Sequence, residues 1–417
     1  MARYRQQPKS QNQIAVEGGR SEQHTVSTLA TKPAWEEGMT TPNTMRIAAT
    51  GCAFALTLAF APAAMAQNFV VGAVGSLTGG AAAFDKPVVE GVEAAIKYWT
   101  DNGGFKGRKV ELRLLDDESQ PASAVTVYRR LTDDPVVRVV VGASPSPSLV
   151  AIKAVADEFK TTTIGTATLH ALAEPPAKYF FRALPSADAY MQALMNWVKA
   201  RGYKSIASLN PSDVTGQREA TVIKQLASQM GITLTAAESY TNTDTNFTAQ
   251  LVNIRNSNPD FLYAGAIGGP TVLVFKQIKQ LNLKMPTGIH SSAFNQAFYT
   301  GIGGKEQAEG MYSPMERGGI GAAATGIAGE LFKAASDNIG RPATNLNTAG
   351  FDTAYIIMQA VNKSDGTREN IRDAVESLAD LQVIGGLVSY SPTNHHGKDE
   401  RSVAIVQMVN GQLVEVK

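Results

Sequence analysis

Three features of this 417-residue sequence predict an α/β protein made of two doubly wound lobes. Short apolar runs alternate with amphipathic stretches along most of the chain. The alternation completes one series and starts again near Ser205. Several apolar runs are unbroken and β-branched, as strands covered on both faces of a parallel sheet require.

The elements follow in order. Residues 69–74 are expected as the first strand. Val88, Val92, Ala95, Ile96 and Trp99 fall on one helical face, so a helix is expected over 88–102, ended by Gly103-Gly104. A strand over 109–115 runs into Asp116-Asp117-Glu118, a helix covers 121–132, and the β-branched run 136–141 is a buried strand. A helix over 149–159 and a strand at 163–165 close the first series. The second series has strands at 206–209, 233–239, 261–264 and 286–289, with helices over 217–230, 247–256 and 271–281 between or after them. The tail is strand-rich at 386–390 and 403–416, with Asn410-Gly411 as a hairpin turn, and is expected to close both lobes.

Residues 45–66 have the pattern of a cleavable signal peptide. Arg46 precedes an apolar run over 48–61, and Ala64-Met65-Ala66 is a small-x-small cleavage site, so a mature chain would begin at Gln67. The apolar run is shorter than the ~20 residues that span a bilayer. Residues 1–44 are polar and without apolar periodicity. They fit a disordered leader or a start assigned upstream of a true start at Met45, and the second is favoured because an internal signal is hard to target. Cys52 is the one cysteine and lies inside the signal, so the mature chain has no disulfide, thiol nucleophile or thiolate metal site. The net charge of +1 gives no footprint for nucleic acid or an anionic membrane. No later apolar stretch reaches membrane-spanning length.

In open parallel sheets ligands sit beyond the carboxyl ends of the strands, so two lobes with facing strand ends enclose a cleft. The chemistry of common catalytic motifs is missing from the sequence. There is no P-loop, and the first turn, Gly72-Ala73-Val74-Gly75-Ser76-Leu77-Thr78-Gly79-Gly80, is not the dinucleotide fingerprint. Gly142-Ala143-Ser144-Pro145-Ser146 lacks the final glycine of a nucleophile elbow. His395 and His396 are adjacent and cannot form an i,i+4 metal pair. What the strand-end loops do offer is small hydroxyl residues: Ser76-Leu77-Thr78, Ser144-Pro145-Ser146-Pro147-Ser148 and Thr166-Ala167-Thr168. Small side chains let a ligand reach backbone N–H groups, and hydroxyls add donors without charge. Serines ahead of a helix commonly serve as N-caps, and Ser146 or Ser148 is expected to cap the helix at Leu149. Three such loops at successive strand ends point to a small carboxylate as guest, with a helix N-terminus beside it.

These residues resemble the periplasmic solute-binding proteins of the leucine/isoleucine/valine type that serve ABC importers. The resemblance spans essentially the whole chain after residue 66. It is carried by Val71-Gly72-Ala73-Val74-Gly75-Ser76-Leu77-Thr78-Gly79, by Glu90-Gly91 on the first helix, and by Asn102-Gly103-Gly104-Phe105-Lys106-Gly107. Leu115-Asp116-Asp117, Val140-Val141-Gly142-Ala143-Ser144, Asn246-Phe247-Thr248 and Asn258-Pro259-Asp260-Phe261 complete it. It implies two Rossmann-like lobes joined by a three-segment hinge with the ligand cleft between them. The corresponding segments are 67–187 with 314–393, and 188–313 with 394–417.

By position, the resemblance assigns carboxylate-binding roles to Ser144, Ser146, Thr166, Ala167 and Thr168, with Ser76 and the aromatic Phe84 from the first loop. The second lobe contributes Thr215, Ala266, Ile267, Gly268 and His290. Two departures matter: His290 stands where amino-acid binders of this family place a glutamate for the ligand ammonium, and Thr215 stands where an aromatic residue is usual. A buried ammonium without a carboxylate is costly. The expectation is therefore an aromatic or other amine-free organic acid, with His290 as donor to it. A branched-chain or apolar amino acid is the close alternative, with Asp85, Asp213 or Glu316 as the missing carboxylate. The implied partner is an ABC permease at the membrane, met by a periplasmic monomer without cofactor or metal. A ligand-sensing regulatory receptor of the same fold is the second hypothesis. An enzyme is disfavoured by the missing cysteine and ligand-spaced histidines.

Overall fold

A computed structural model describes residues 67–416, except Asn242, Ile267 and Gly268. The leader, the signal segment and Cys52 therefore lie outside the described residues, all of which belong to one compact unit.

The first series is β1 (Phe69–Gly75), α1 (Ala82–Asp101), β2 (Val110–Asp116), α2 (Pro121–Thr132), β3 (Val137–Ala143), α3 (Ser146–Phe159), β4 (Thr163–Gly165) and β5 (Phe180–Arg182). Its strands form a parallel sheet in the order β2-β1-β3-β4-β5. The second series is α4 (Ala187–Ala200), β6 (Ser205–Pro211), α5 (Val214–Met230), β7 (Thr233–Tyr240), α6 (Thr248–Ser257), β8 (Phe261–Ala264), α7 (Gly269–Gln280), β9 (Thr287–Ile289), α8 (Gln296–Ile302) and β10 (Tyr312–Glu316). The chain then returns through α9 (Gly326–Ile339), α10 (Asn345–Asn362), α11 (Arg368–Glu376), β11 (Leu381–Val383), β12 (Gly386–Ser391) and β13 (Asn394–Gly397). It ends in β14 (Val403–Val409) and β15 (Gln412–Glu415). Among the described residues the second sheet has the order β15-β14-β10-β9-β8-β6-β7, with β14 and β15 antiparallel.

The apolar strands are covered on both faces. Val139 and Val141 enter a core with α1 and α10, while Val137 and Val140 enter another with α2 and α3. In the second sheet Phe261 and Tyr263 pack under α4 and α5, and Leu262 and Ala264 under α6 and α7. Helices α1 and α10 touch backbone to backbone. A Cβ on Gly91 would lie 2.0 Å from the Asn347 carbonyl oxygen, and one on Gly350 would lie 1.9 Å from that of Val88. Glycine at both positions is what lets the two helices approach.

Two expectations are corrected. Helix α1 starts at Ala82 rather than 88, because Pro87 drops one bond from the ladder without ending it. Helix α3 starts at Ser146, with Pro145 at the cap position and no side-chain cap, so neither Ser146 nor Ser148 caps it. Pro147 is harmless in that first turn, where N–H groups have no intrahelical partner. The tail is divided between the lobes, as its two strand-rich stretches led us to expect. Strands β14 and β15, joined through Asn410 and Gly411 at positive φ, extend the second sheet alone. Strand β13 instead lies against β5, where His395 stacks on Phe181 at 4.0 Å and its Nδ1 lies 2.9 Å from the Phe180 carbonyl.

The chain crosses between the parallel sheets after β5, β10 and β13. At the crossings lies a buried cluster. The Lys398 ammonium bonds Glu316 Oε1 and, at 2.9 Å, Asp352 Oδ2. Asp352 also accepts the Ile384 and Gly385 N–H groups at 2.9 and 2.8 Å. Removing the cation strands two buried carboxylates, so Lys398→Met is expected to lower the unfolding free energy by about 3–5 kcal/mol in urea titration at pH 8. The loss is expected to be smaller at pH 5. Burial holds Glu316 above the usual carboxylate range despite Lys398, so its charge is lost first as pH falls.

Candidate functional site

A cavity of about 290 Å³ lies at the strand ends of the first sheet and between them and the second. The first turn of α1 supplies Phe84 and Asp85, and the β3–α3 junction supplies Ser144, Pro145 and Ser146. The loop after β4 supplies Thr166, Ala167 and Thr168. From the second series come Tyr190, Thr215, and His290 to Ser292 after β9, with Met315 and Glu316 at the end of β10. Helix α10 adds Asn345, Leu346 and Ala349. A second cavity of about 370 Å³ is lined by Arg182, Asp188, His396 and Lys398 among others.

The sequence-derived site residues divide by what they touch. Phe84, Ser144, Ser146, Thr166, Ala167, Thr168, Thr215 and His290 all line the cavity. Ser76 does not: it is buried and donates to Asp117 Oδ1 at 2.7 Å. Ala266 does not either, being buried with its carbonyl accepting the Thr271 hydroxyl at 2.8 Å. Ile267 and Gly268 lie outside the described residues.

The hydroxyls are not equivalent. Ser144 Oγ donates to the Val74 carbonyl at 3.2 Å and Thr166 Oγ1 to the Gly142 carbonyl at 3.0 Å, so both tie neighbouring strand ends together. Ser146 and Thr168 spend no side-chain hydrogen bond on the described protein, and their O–H donors stay available at the cavity. The Ser146 N–H heads α3, where the first amides have no helical acceptor and favour an anion.

His290 is committed to the protein. Its Nδ1 receives the Ser292 backbone N–H at 3.1 Å, with Ser292 Oγ at 2.8 Å. A backbone N–H can only donate, so Nδ1 is the bare nitrogen and Nε2 carries the proton. Nε2 points to Glu219 Oε1, 3.4 Å away. Glu219 is buried and its Oε2 also accepts from Asn210 Nδ2 at 3.0 Å and the Tyr263 hydroxyl at 3.2 Å. The expected donation from His290 to a ligand thus meets a ring whose nitrogens are already engaged. Sequence reasoning missed Glu219, which sits one helical turn after Thr215 on α5 and looks like a surface position.

Of the carboxylates named as alternatives, Asp213 caps α5 by accepting the Gly216 N–H at 2.9 Å. Glu316 lines the cavity but is held by Lys398. Asp85 lines it with Oδ2 unpartnered among the described residues. Burial pushes Asp85 up to about 7, the Ser76 hydroxyl opposes this, and the nearby Asp117 carboxylate adds to it.

This geometry has parallels. The periplasmic binding protein family model matches residues 69–412, and the chain belongs to that family. The Leu/Ile/Val-binding protein homolog 3 of Brucella melitensis is 24% identical over 345 residues, covering 82% of this chain and 92% of the relative. The leucine-, isoleucine-, valine-, threonine-, and alanine-binding protein of Pseudomonas aeruginosa is 26% identical over 265 residues, 62% of this chain and 69% of the relative. An extracellular ligand-binding receptor from Rhodopseudomonas palustris superposes with a TM-score of 0.74 at 25% identity, covering 84% of this chain and all (100%) of that one. The leucine binding protein of Thermotoga maritima has the same fold, with a TM-score of 0.72 at 21% identity over 84% and 97% of the two chains. Membership makes this chain a solute-binding protein and not an enzyme. No described helix is long and apolar enough to cross a membrane.

An ionised Asp85 in this setting opposes folding. Its folded value of about 7 exceeds the ordinary 3.8, so the folded protein holds the extra proton between them and loses that stability as pH rises through about 7. Asp85→Asn is therefore expected to raise the melting temperature of the unliganded protein at pH 8, and to raise it by less at pH 5, read by thermal unfolding at the two pH values.

Proposed function

We propose that this protein is the extracytoplasmic receptor of an ABC importer, which captures a small carboxylate by hinge closure and delivers it to a membrane permease. The observation that carries the reading is the pair of uncommitted hydroxyls, Ser146 and Thr168, beside the first turn of α3 in a cavity that both sheets border. Neutral donors at a helix N-terminus suit a carboxylate. The ligand meets this wall first, and closure about the three crossings brings Thr215 and His290 over it. Closure is favoured only by the contacts the ligand gains in the closed state. The lobes of this hinge are the two sheet units, each assembled from separate stretches of chain. Export through the signal at 45–66 to the periplasm, and action there as a monomer, belong to the same reading.

Two ligand classes fit a carboxylate-binding wall: an apolar amino acid, and an aromatic or other amine-free acid. The relatives bear amino-acid names, and the engagement of His290 by Glu219 and Ser292 removes its main argument from the amine-free class. A thermal-shift panel tests the reading. Leucine, isoleucine, valine, phenylalanine and glutamate stand beside benzoate, hydroxycinnamates and keto acids. A ligand at ~100 times its Kd adds about 2.7 kcal/mol, which is readily seen. Ser146→Ala and Thr168→Ala are each expected to weaken the ligand found by about 1–3 kcal/mol in titration calorimetry. Unchanged affinity in both variants places the carboxylate elsewhere, and a panel without any shift overturns the small-carboxylate receptor.

A further inference from the structure

The cavity lining holds two carboxylates, Asp85 and Glu316, and among its described residues no lysine or arginine. Glu316 has its cation behind it in Lys398. Asp85 has none. It is 8% exposed, and its Oδ2 has no partner among the described residues. The charged group that faces it across Ser76 is another carboxylate, Asp117, fully buried and with its own Oδ2 unpartnered. The Ser76 hydroxyl serves both acids. The other titratable groups around the cavity bring no cation to Asp85. His290 is the neutral tautomer turned to Glu219, and Tyr190 is buried. A carboxyl group in such a place is stable as the acid, or as the anion beside a cation that enters with a ligand.

We propose that Asp85 is the specificity-determining residue of this cavity: it accepts the protonated amine of the ligand, and the ammonium's arrival releases to solvent the proton that Asp85 holds when the site is empty. The inference rests on the receptor reading above and deepens it. The carboxylic O–H bond of Asp85 breaks, its proton passes to solvent, and the carboxylate then accepts N–H bonds from the ammonium; no electrons are exchanged. With Ser146 and Thr168 on the ligand carboxylate and Phe84, Met315 and Leu346 as apolar wall, the ligand class is an α-amino acid with an apolar side chain. Near neutral pH a substantial share of unliganded molecules carries the proton, because burial sets Asp85 at about 7. Affinity for the amine therefore falls as pH drops below that value, where each molecule must first lose a proton.

The test is titration calorimetry of the purified protein with two matched pairs: leucine beside 4-methylpentanoate, and phenylalanine beside 3-phenylpropanoate. Each pair differs only in the amine. The amine member of at least one pair is expected to bind about 10- to 100-fold more tightly than its acid, the range of a charged hydrogen-bonded contact. Its heat at pH 6.5 is expected to differ between phosphate and Tris, which reports proton release, and its affinity to fall from pH 8 to pH 5. Asp85→Asn is expected to abolish the preference and the buffer dependence together. Should that variant fail to fold, the buffer and pH series on the unaltered protein still decides. Equal binding of both members, buffer-independent heat, or a preference that survives Asp85→Asn overturns the role of Asp85. Binding of the acids alone overturns it while the receptor stands, whereas failure of both pairs and of the wider panel overturns both.

Discussion

One buried cation holds the architecture together. Lys398 lies in the third crossing, Glu316 ends β10 just before the second, and Asp352 belongs to α10 on the first sheet. The three side chains tie two of the crossings to the face of a lobe. Asp352 also takes the N–H groups of Ile384 and Gly385, so the loop before β12 is held to the same point. The first crossing joins by another route, since the Tyr390 hydroxyl donates to the Arg182 carbonyl at 2.8 Å. One ammonium serves two carboxylates, and burial raises Glu316, which also reaches the wall of the cavity.

The cavity separates holding from binding. Ser144 and Thr166 look like ligand residues in the sequence, yet their hydroxyls donate to the carbonyls of adjacent strands and keep the strand ends in place. Ser146 and Thr168, two residues further on in each loop, stay uncommitted on the scaffold so fixed. A binding group on a rigid wall loses little freedom when the ligand arrives, which favours affinity. Opposite it, His290 is held by Glu219 and Ser292, so the second wall is also set before any ligand enters.

Much of this was legible in the sequence because it depends on local pattern. The β-branched run at 137–141 declared a two-sided strand, Asn410-Gly411 declared its hairpin, and the hydroxyl loops marked the strand ends. Legibility failed where distant residues decide. Apolar spacing put the start of α1 at 88, but the chain is already helical from Ala82. Nothing local distinguishes Glu219 from a solvent-facing helix residue, and Lys398, in a stretch that reads His395-His396-Gly397-Lys398-Asp399-Glu400-Arg401, resembles surface loop while being wholly buried. Reading His290 alone did not show its tertiary partners, Glu219 and Ser292, which lie far along the chain or depend on the loop's fold.

The triple crossing has a consequence for the order in which the molecule is made. The first sheet is complete in sequence by Arg182, yet the helix that seals its face, α10, begins only at Asn345, and the edge of the second sheet waits for Glu415. One face of the first sheet waits for α10, and the edge of the second sheet waits for the last strands. The chain must therefore close contacts across long sequence separations, which slows folding.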